Sequence, residues 1–116
     1  MILKPSPLKG QKKFKRIFKE GIRLKTENIV LYFNPVYDFP LKYAVIVESK
    51  FGKAIERNKI KRQARAIIRT HSLFFLPYFG NLLIYFQRGF NLNFFEMHNL
   101  LIKKFMELRK CLKNLQ

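Results

Sequence analysis

The sequence predicts an α+β sandwich in the order α-β-β-β-α-β-α, with a four-stranded sheet packed by helices. Short runs of β-branched and aromatic residues with period-two alternation are interleaved with longer stretches of three-to-four spacing, which separates strands from amphipathic helices. The 116 residues suit one domain, spanning 1–116. Hydrophobic residues make up 48% and Phe alone numbers 13, enough for one packed core and too many for a disordered chain.

From Gln11 to Glu20 the apolar Phe14, Ile17 and Phe18 fall at i, i+3 and i+4, the face of a short helix. Gly21 is placed to end it in a left-handed conformation. Strands are expected over Ile22–Lys25 and Asn28–Phe33, where Ile29, Leu31 and Phe33 alternate against Val30 and Tyr32. Asn34-Pro35 and Phe39-Pro40 mark a turn or loop. Leu41–Glu48 is rich in β-formers and reads as the third strand, broken by Gly52.

Ala54–Thr70 reads as a basic helix whose apolar face is Ile60, Ala64, Ile67 and Ile68. Arg57, Lys61, Arg65 and Arg69 step by four along a different, drifting stripe. Leu82–Phe86 is wholly apolar and of strand length, as in a buried strand. Asn93 and Glu96 have the spacing of a capping box. From there Phe94, Met97, Leu101, Phe105, Leu108 and Leu112 repeat to the end as a long amphipathic helix.

Net charge is +17, and it is unevenly spread. Residues 1–25 hold nine Lys/Arg against one acid, and residues 50–69 hold eight against one. Such a surplus repels itself in a compact fold, so a polyanionic partner is expected, nucleic acid before a membrane surface. The helix crowds Arg57, Asn58, Lys59, Lys61, Arg62, Arg65 and Arg69 together, with Lys53 just ahead of it. Arg makes bidentate bonds to phosphate, and Asn reads a base edge or sugar hydroxyl. Phe14, Phe18 and Tyr32 lie in or near a basic segment, where aromatic rings suit the bases of an unpaired strand. For Phe18 a core position and a cleft position weigh equally.

No self-contained active site is visible. His71 and His98 have no carboxylate or cysteine at ligand spacing and read as ordinary surface or half-buried histidines. The carboxylates are scattered, with no close pair for general acid–base work. Gly52-Lys53 stands in no Gly-rich phosphate loop. The single Cys111 cannot close an intramolecular disulfide and reads as a packed thiol in the last helix. No apolar run is long enough for a membrane span and no secretory signal core is present, so a soluble, cytoplasmic protein is expected.

The stretch from Val47 to Arg65 strongly resembles the signature of the bacterial ribonuclease P protein component. The matching residues are Lys50, Gly52, Ala54, Arg57, Asn58, Lys61, Arg62 and Arg65. Phe14-x-x-Ile17-Phe18-x-x-Gly21 looks like that family's first helix, Ile29–Tyr32 like its second strand, and Leu83–Arg88 like its last strand. The likeness covers roughly residues 8–112. It departs from the family at Glu48 and Ser49, where Ser-Lys is frequent, at Ala66 in place of a Glu, and at Ile46 in place of a small polar residue.

The resemblance implies a left-handed βαβ crossover, a rare exception to the right-handed rule, and a bacterial source. It implies a subunit that joins a large catalytic RNA, the holoenzyme removing the 5′ leader of precursor tRNA. Docking to that RNA would fall to Lys53, Arg57, Asn58, Lys61, Arg62, Arg65 and Arg69. Phe14, Phe18, Tyr32 and Lys50 would line the leader cleft. Mg²⁺ would be held by the RNA, which performs the hydrolysis, with no protein-held metal and no catalytic residue on this chain. The alternative reading is a non-catalytic structural RNA-binding protein, such as a ribosomal protein.

Overall fold

Period-two and period-3.6 patterns sort the chain into strands and helices as expected. The computed structural model describes residues 6–7, 11–35, 41–50, 52–75 and 80–114, with backbone alone at 6–7, 11–14, 72–75 and 114. The elements run β1 (Ser6–Pro7), α1 (Gln11–Glu20), β2 (Ile22–Thr26), β3 (Ile29–Asn34), β4 (Lys42–Val47), α2 (Ala54–Phe75), β5 (Asn81–Phe86) and α3 (Phe94–Asn114). The segment holding Phe39-Pro40 lies outside the described residues.

The strands form one sheet in the order β1-β4-β5-β3-β2. β4 and β5 are parallel neighbours joined through α2, a βαβ unit. β5 then pairs antiparallel with β3, and β3 with β2. β1 is a fifth strand, one more than the four the sequence predicts. Two residues carry no periodicity, and Pro7 has no N–H to give a ladder, which confines it to an edge. It pairs parallel with β4, Ser6 opposite Lys42 and Pro7 opposite Tyr43.

Alternation decides what each sheet face meets. Ile29, Leu31 and Phe33 of β3, Tyr43, Val45 and Val47 of β4, and Leu82, Ile84 and Phe86 of β5 point to one side. There they pack on Ala64, Ile67 and Ile68 of α2 and on Met97, Leu101, Phe105 and Leu108 of α3, all buried. The opposite face meets α1, where Ile17 packs on Leu83 with Tyr32, Ala44 and Ile46 partly covered. Helices on both faces explain why Leu82–Phe86 of β5 is apolar without interruption.

Three local expectations are corrected. Gly21 does end α1, its N–H donating to the Ile17 carbonyl at 2.9 Å, but its backbone is not left-handed. Glycine is needed there for space: a Cβ would stand 2.6 Å from the Ile17 carbonyl oxygen and 3.0 Å from that of Phe33. Asn28 is a turn residue. Thr26 pairs with Ile29, so Glu27 and Asn28 form a two-residue hairpin loop with φ of 27° and 66°. Positive φ at both positions matches the strand twist, and Asn tolerates it best among non-glycines. Phe94, expected on the buried face of α3, is 46% exposed because it precedes the turn at which α3 meets the core.

α2 runs to Phe75, beyond the expected end at Thr70 and close to Pro77, whose preceding residue disfavours helix. The capping box at α3 forms in both directions. Glu96 N–H donates to Asn93 Oδ1 at 2.8 Å, and Asn93 N–H donates to Glu96 Oε1 at 3.2 Å.

Candidate nucleic-acid interface

The α2 cations are set by helix geometry. With Ala64, Ile67 and Ile68 turned into the core, Lys59, Arg62, Arg65 and Arg69 are driven outward and are exposed, as are Lys53 and Asn58. The predicted stripe is therefore graded. Arg57 and Lys61 are half-buried along the helix flank, and Arg65 and Arg69 stand free of the core. Among the described residues no carboxylate forms a salt bridge with any of these side chains. Arg57 Nε is buried without a hydrogen-bond partner, and Arg69 Nε reaches only its own helix, the Arg65 carbonyl at 3.4 Å. A row of unneutralised guanidinium groups is costly unless an anion lies against it.

A second surface lies across the sheet. α1 turns Ile17 fully inward and leaves Phe18 43% exposed. Phe18 meets Tyr32 edge to face, centroids 4.8 Å apart and planes at 87°. Phe18 is thus a surface ring rather than a core one. Strand register extends the face: Ala44, Leu83, Tyr32 and Arg23 stand abreast, and Ile46, Tyr85, Val30 and Lys25 form the next row. Tyr32 and Tyr85 are half-buried, while Arg23 and Lys25 are exposed. The result is an aromatic floor edged by cations. Lys50, also exposed, follows β4 in the turn beyond the Ile46 row. The side chain of Phe14 lies outside the described residues.

Sequence reasoning missed Tyr85, Arg23 and Lys25. The signal was present: Tyr85 alternates out of step with Leu82, Ile84 and Phe86, and the β2 cations out of step with Ile22 and Leu24. The unbroken apolar run of Leu82–Phe86 hides that alternation, because every one of its positions suits burial. Glu48, a departure in the motif, has a local role: its Oε2 accepts the Arg88 N–H at 2.9 Å and ties the exit of β4 to that of β5. His71 and His98, unremarkable in sequence, meet across α2 and α3 with Nε2 atoms 2.9 Å apart.

Among the described residues no group of three or more His, Cys, Asp or Glu could hold a metal ion. No helix among them is long and apolar enough to cross a membrane.

Fold and surface together define a class: a small, strongly basic α+β sandwich that presents a cationic helix on one layer and an aromatic-floored, cation-edged sheet face on the other. A family model described as Ribonuclease P matches residues 3–115, and the chain belongs to that family. It is 42% identical over 72 residues to the ribonuclease P protein component of Petrotoga mobilis, covering 62% of this chain and 61% of that one. It is 32% identical over 108 residues to that of Onion yellows phytoplasma, covering 92% and 77%. The chain thus spans under two thirds of the Petrotoga relative, and 44% of one from Coprothermobacter proteolyticus. Among solved structures, the RNase P protein from Thermotoga maritima superposes with a TM-score of 0.78 at 26% identity, covering 87% of this chain and 96% of that one.

Proposed function

We propose that the chain is the protein subunit of a ribonuclease P ribonucleoprotein, which binds the catalytic RNA and the 5′ leader of precursor tRNA and so assists removal of the leader. Family membership supports the assignment. The observation that carries the mechanism is the separation of two surfaces by the sheet, the α2 cations on one layer and the Phe18–Tyr32 pair on the other.

Lys53, Arg57, Asn58, Lys61, Arg62, Arg65 and Arg69 dock on phosphates of the catalytic RNA. Arg57 supplies a half-buried guanidinium whose Nε is still unpartnered. Phe14, Phe18, Tyr32 and Lys50 receive the leader, joined by Tyr85, Arg23 and Lys25. Stacking and phosphate contact read little base identity, so leader binding tolerates sequence. Magnesium belongs to the RNA in this reading, and the residues described here take no chemical step. Such an assembly works in the cytoplasm.

Reconstitution at low magnesium tests it. Adding the chain to the catalytic RNA should restore leader removal from precursor tRNA. RNA binding with no gain in cleavage would instead favour a structural RNA-binding protein.

A further inference from the structure

The chain has only two histidines, 27 positions apart, and the fold brings them together. His71 on α2 and His98 on α3 are both half-buried, with Nε2 atoms 2.9 Å apart and ring planes at 66°. Asn99 Oδ1 lies 3.4 Å from His98 Nδ1, a long contact that favours the proton on Nδ1 and leaves the Nε2 lone pair for a ligand. An outer partner of this kind on the distal ring nitrogen is the usual companion of a metal-bound imidazole. The Phe94 ring, 6.3 Å from that of His98, supplies an apolar wall.

We propose that His71 and His98 form a two-imidazole site for a borderline divalent transition metal such as zinc, clasping α3 to α2. Zinc–nitrogen bonds of about 2.0–2.1 Å at a tetrahedral angle set two nitrogens about 3.3 Å apart. The 2.9 Å contact is a hydrogen bond in which His71 Nε2–H donates to His98 Nε2, so zinc binding must move the His71 proton to its own Nδ1 while the two nitrogens open by a few tenths of an ångström to ligating geometry. Imidazole suits this class of metal, whereas magnesium prefers oxygen ligands. Water completes the sphere, since no third His, Cys, Asp or Glu joins the pair among the described residues. The site departs from the sequence-based expectation that the protein holds no metal, and it stands apart from the magnesium that the proposed function assigns to the RNA. Because zinc would bind the folded chain in preference to the unfolded one, it should raise stability.

The full chain is titrated with zinc chloride while the imidazole resonances are followed by NMR, which two histidines make unambiguous. Both rings should shift together and saturate at one zinc per chain, and the thermal midpoint should rise with zinc. His71→Gln and His98→Gln should each weaken binding about 100-fold or more, exceeding the 10- to 100-fold cost of losing an outer partner. If neither ring or only one responds, or if both folded variants keep the wild-type zinc response, the site does not exist. Should a variant fail to fold, the wild-type resonances alone decide.

Discussion

Ile17 and Phe18 are neighbours in sequence with opposite fates, 0% and 43% exposed. A helix turns about 100° per residue, so one apolar side chain can be core and the next lie at the surface. The distinction is measurable as stability. Phe18→Ala should cost about 0.5–1.5 kcal/mol, the scale of an edge-to-face pair. Phe105→Ala, from a fully buried position, should cost about 3–5 kcal/mol. Urea denaturation of both variants checks this, and equal losses would return Phe18 to the core. Gly21 poses the converse case, in which an added atom is the problem. Gly21→Ala must push a methyl against the Ile17 and Phe33 carbonyls, and overpacking of that kind costs about 1–3 kcal/mol. A thermal midpoint unchanged from wild type would contradict the close approach.

The long helices and the apolar strands were legible in the sequence because their periodicity is sustained, and the Asn93–Glu96 box because its spacing is specific. Removing that cap by Asn93→Ala should destabilise the protein by about 1 kcal/mol, read from chemical denaturation. β1 was invisible because two residues make no pattern. The Glu27–Asn28 turn was hidden by β-formers on both sides, since no glycine marked its positive φ. The site was legible where local chemistry sufficed, as in the crowded cations of α2. It was not where strand register decides: nothing local says that Tyr85 stands beside Val30 and Ile46, or that His71 faces His98. Within α2, Arg57→Ala should weaken docking to the catalytic RNA by about 1–3 kcal/mol, the value of a charge-assisted hydrogen bond. The fold should survive, because Ile60, Ala64 and Ile67 keep the helix seated. A collapse of thermal stability with unchanged RNA affinity per folded molecule would make Arg57 a structural residue.

Across the molecule, charge and layering combine. A net charge of +17 is compatible with a compact fold because an apolar core lies between layers and the cations described on α2 and β2 stand at or near the surface. If six to ten phosphates are contacted, affinity for the catalytic RNA should fall roughly 10³- to 10⁵-fold between 50 and 200 mM salt, by analogy with duplex binding. A flat dependence would point to a protein partner instead. The layering makes the stronger claim, that RNA docking and leader binding are separable. Tyr32→Ala decides it, by paired binding of precursor and mature tRNA to the reconstituted holoenzyme, with folding of the variant verified. Stacking worth roughly 1–3 kcal/mol per base predicts a 5- to 100-fold loss for precursor tRNA, with mature tRNA and docking to the catalytic RNA nearly unchanged. Equal losses for the two tRNAs in a folded variant would contradict the account, because the sheet face would then not be reading the leader.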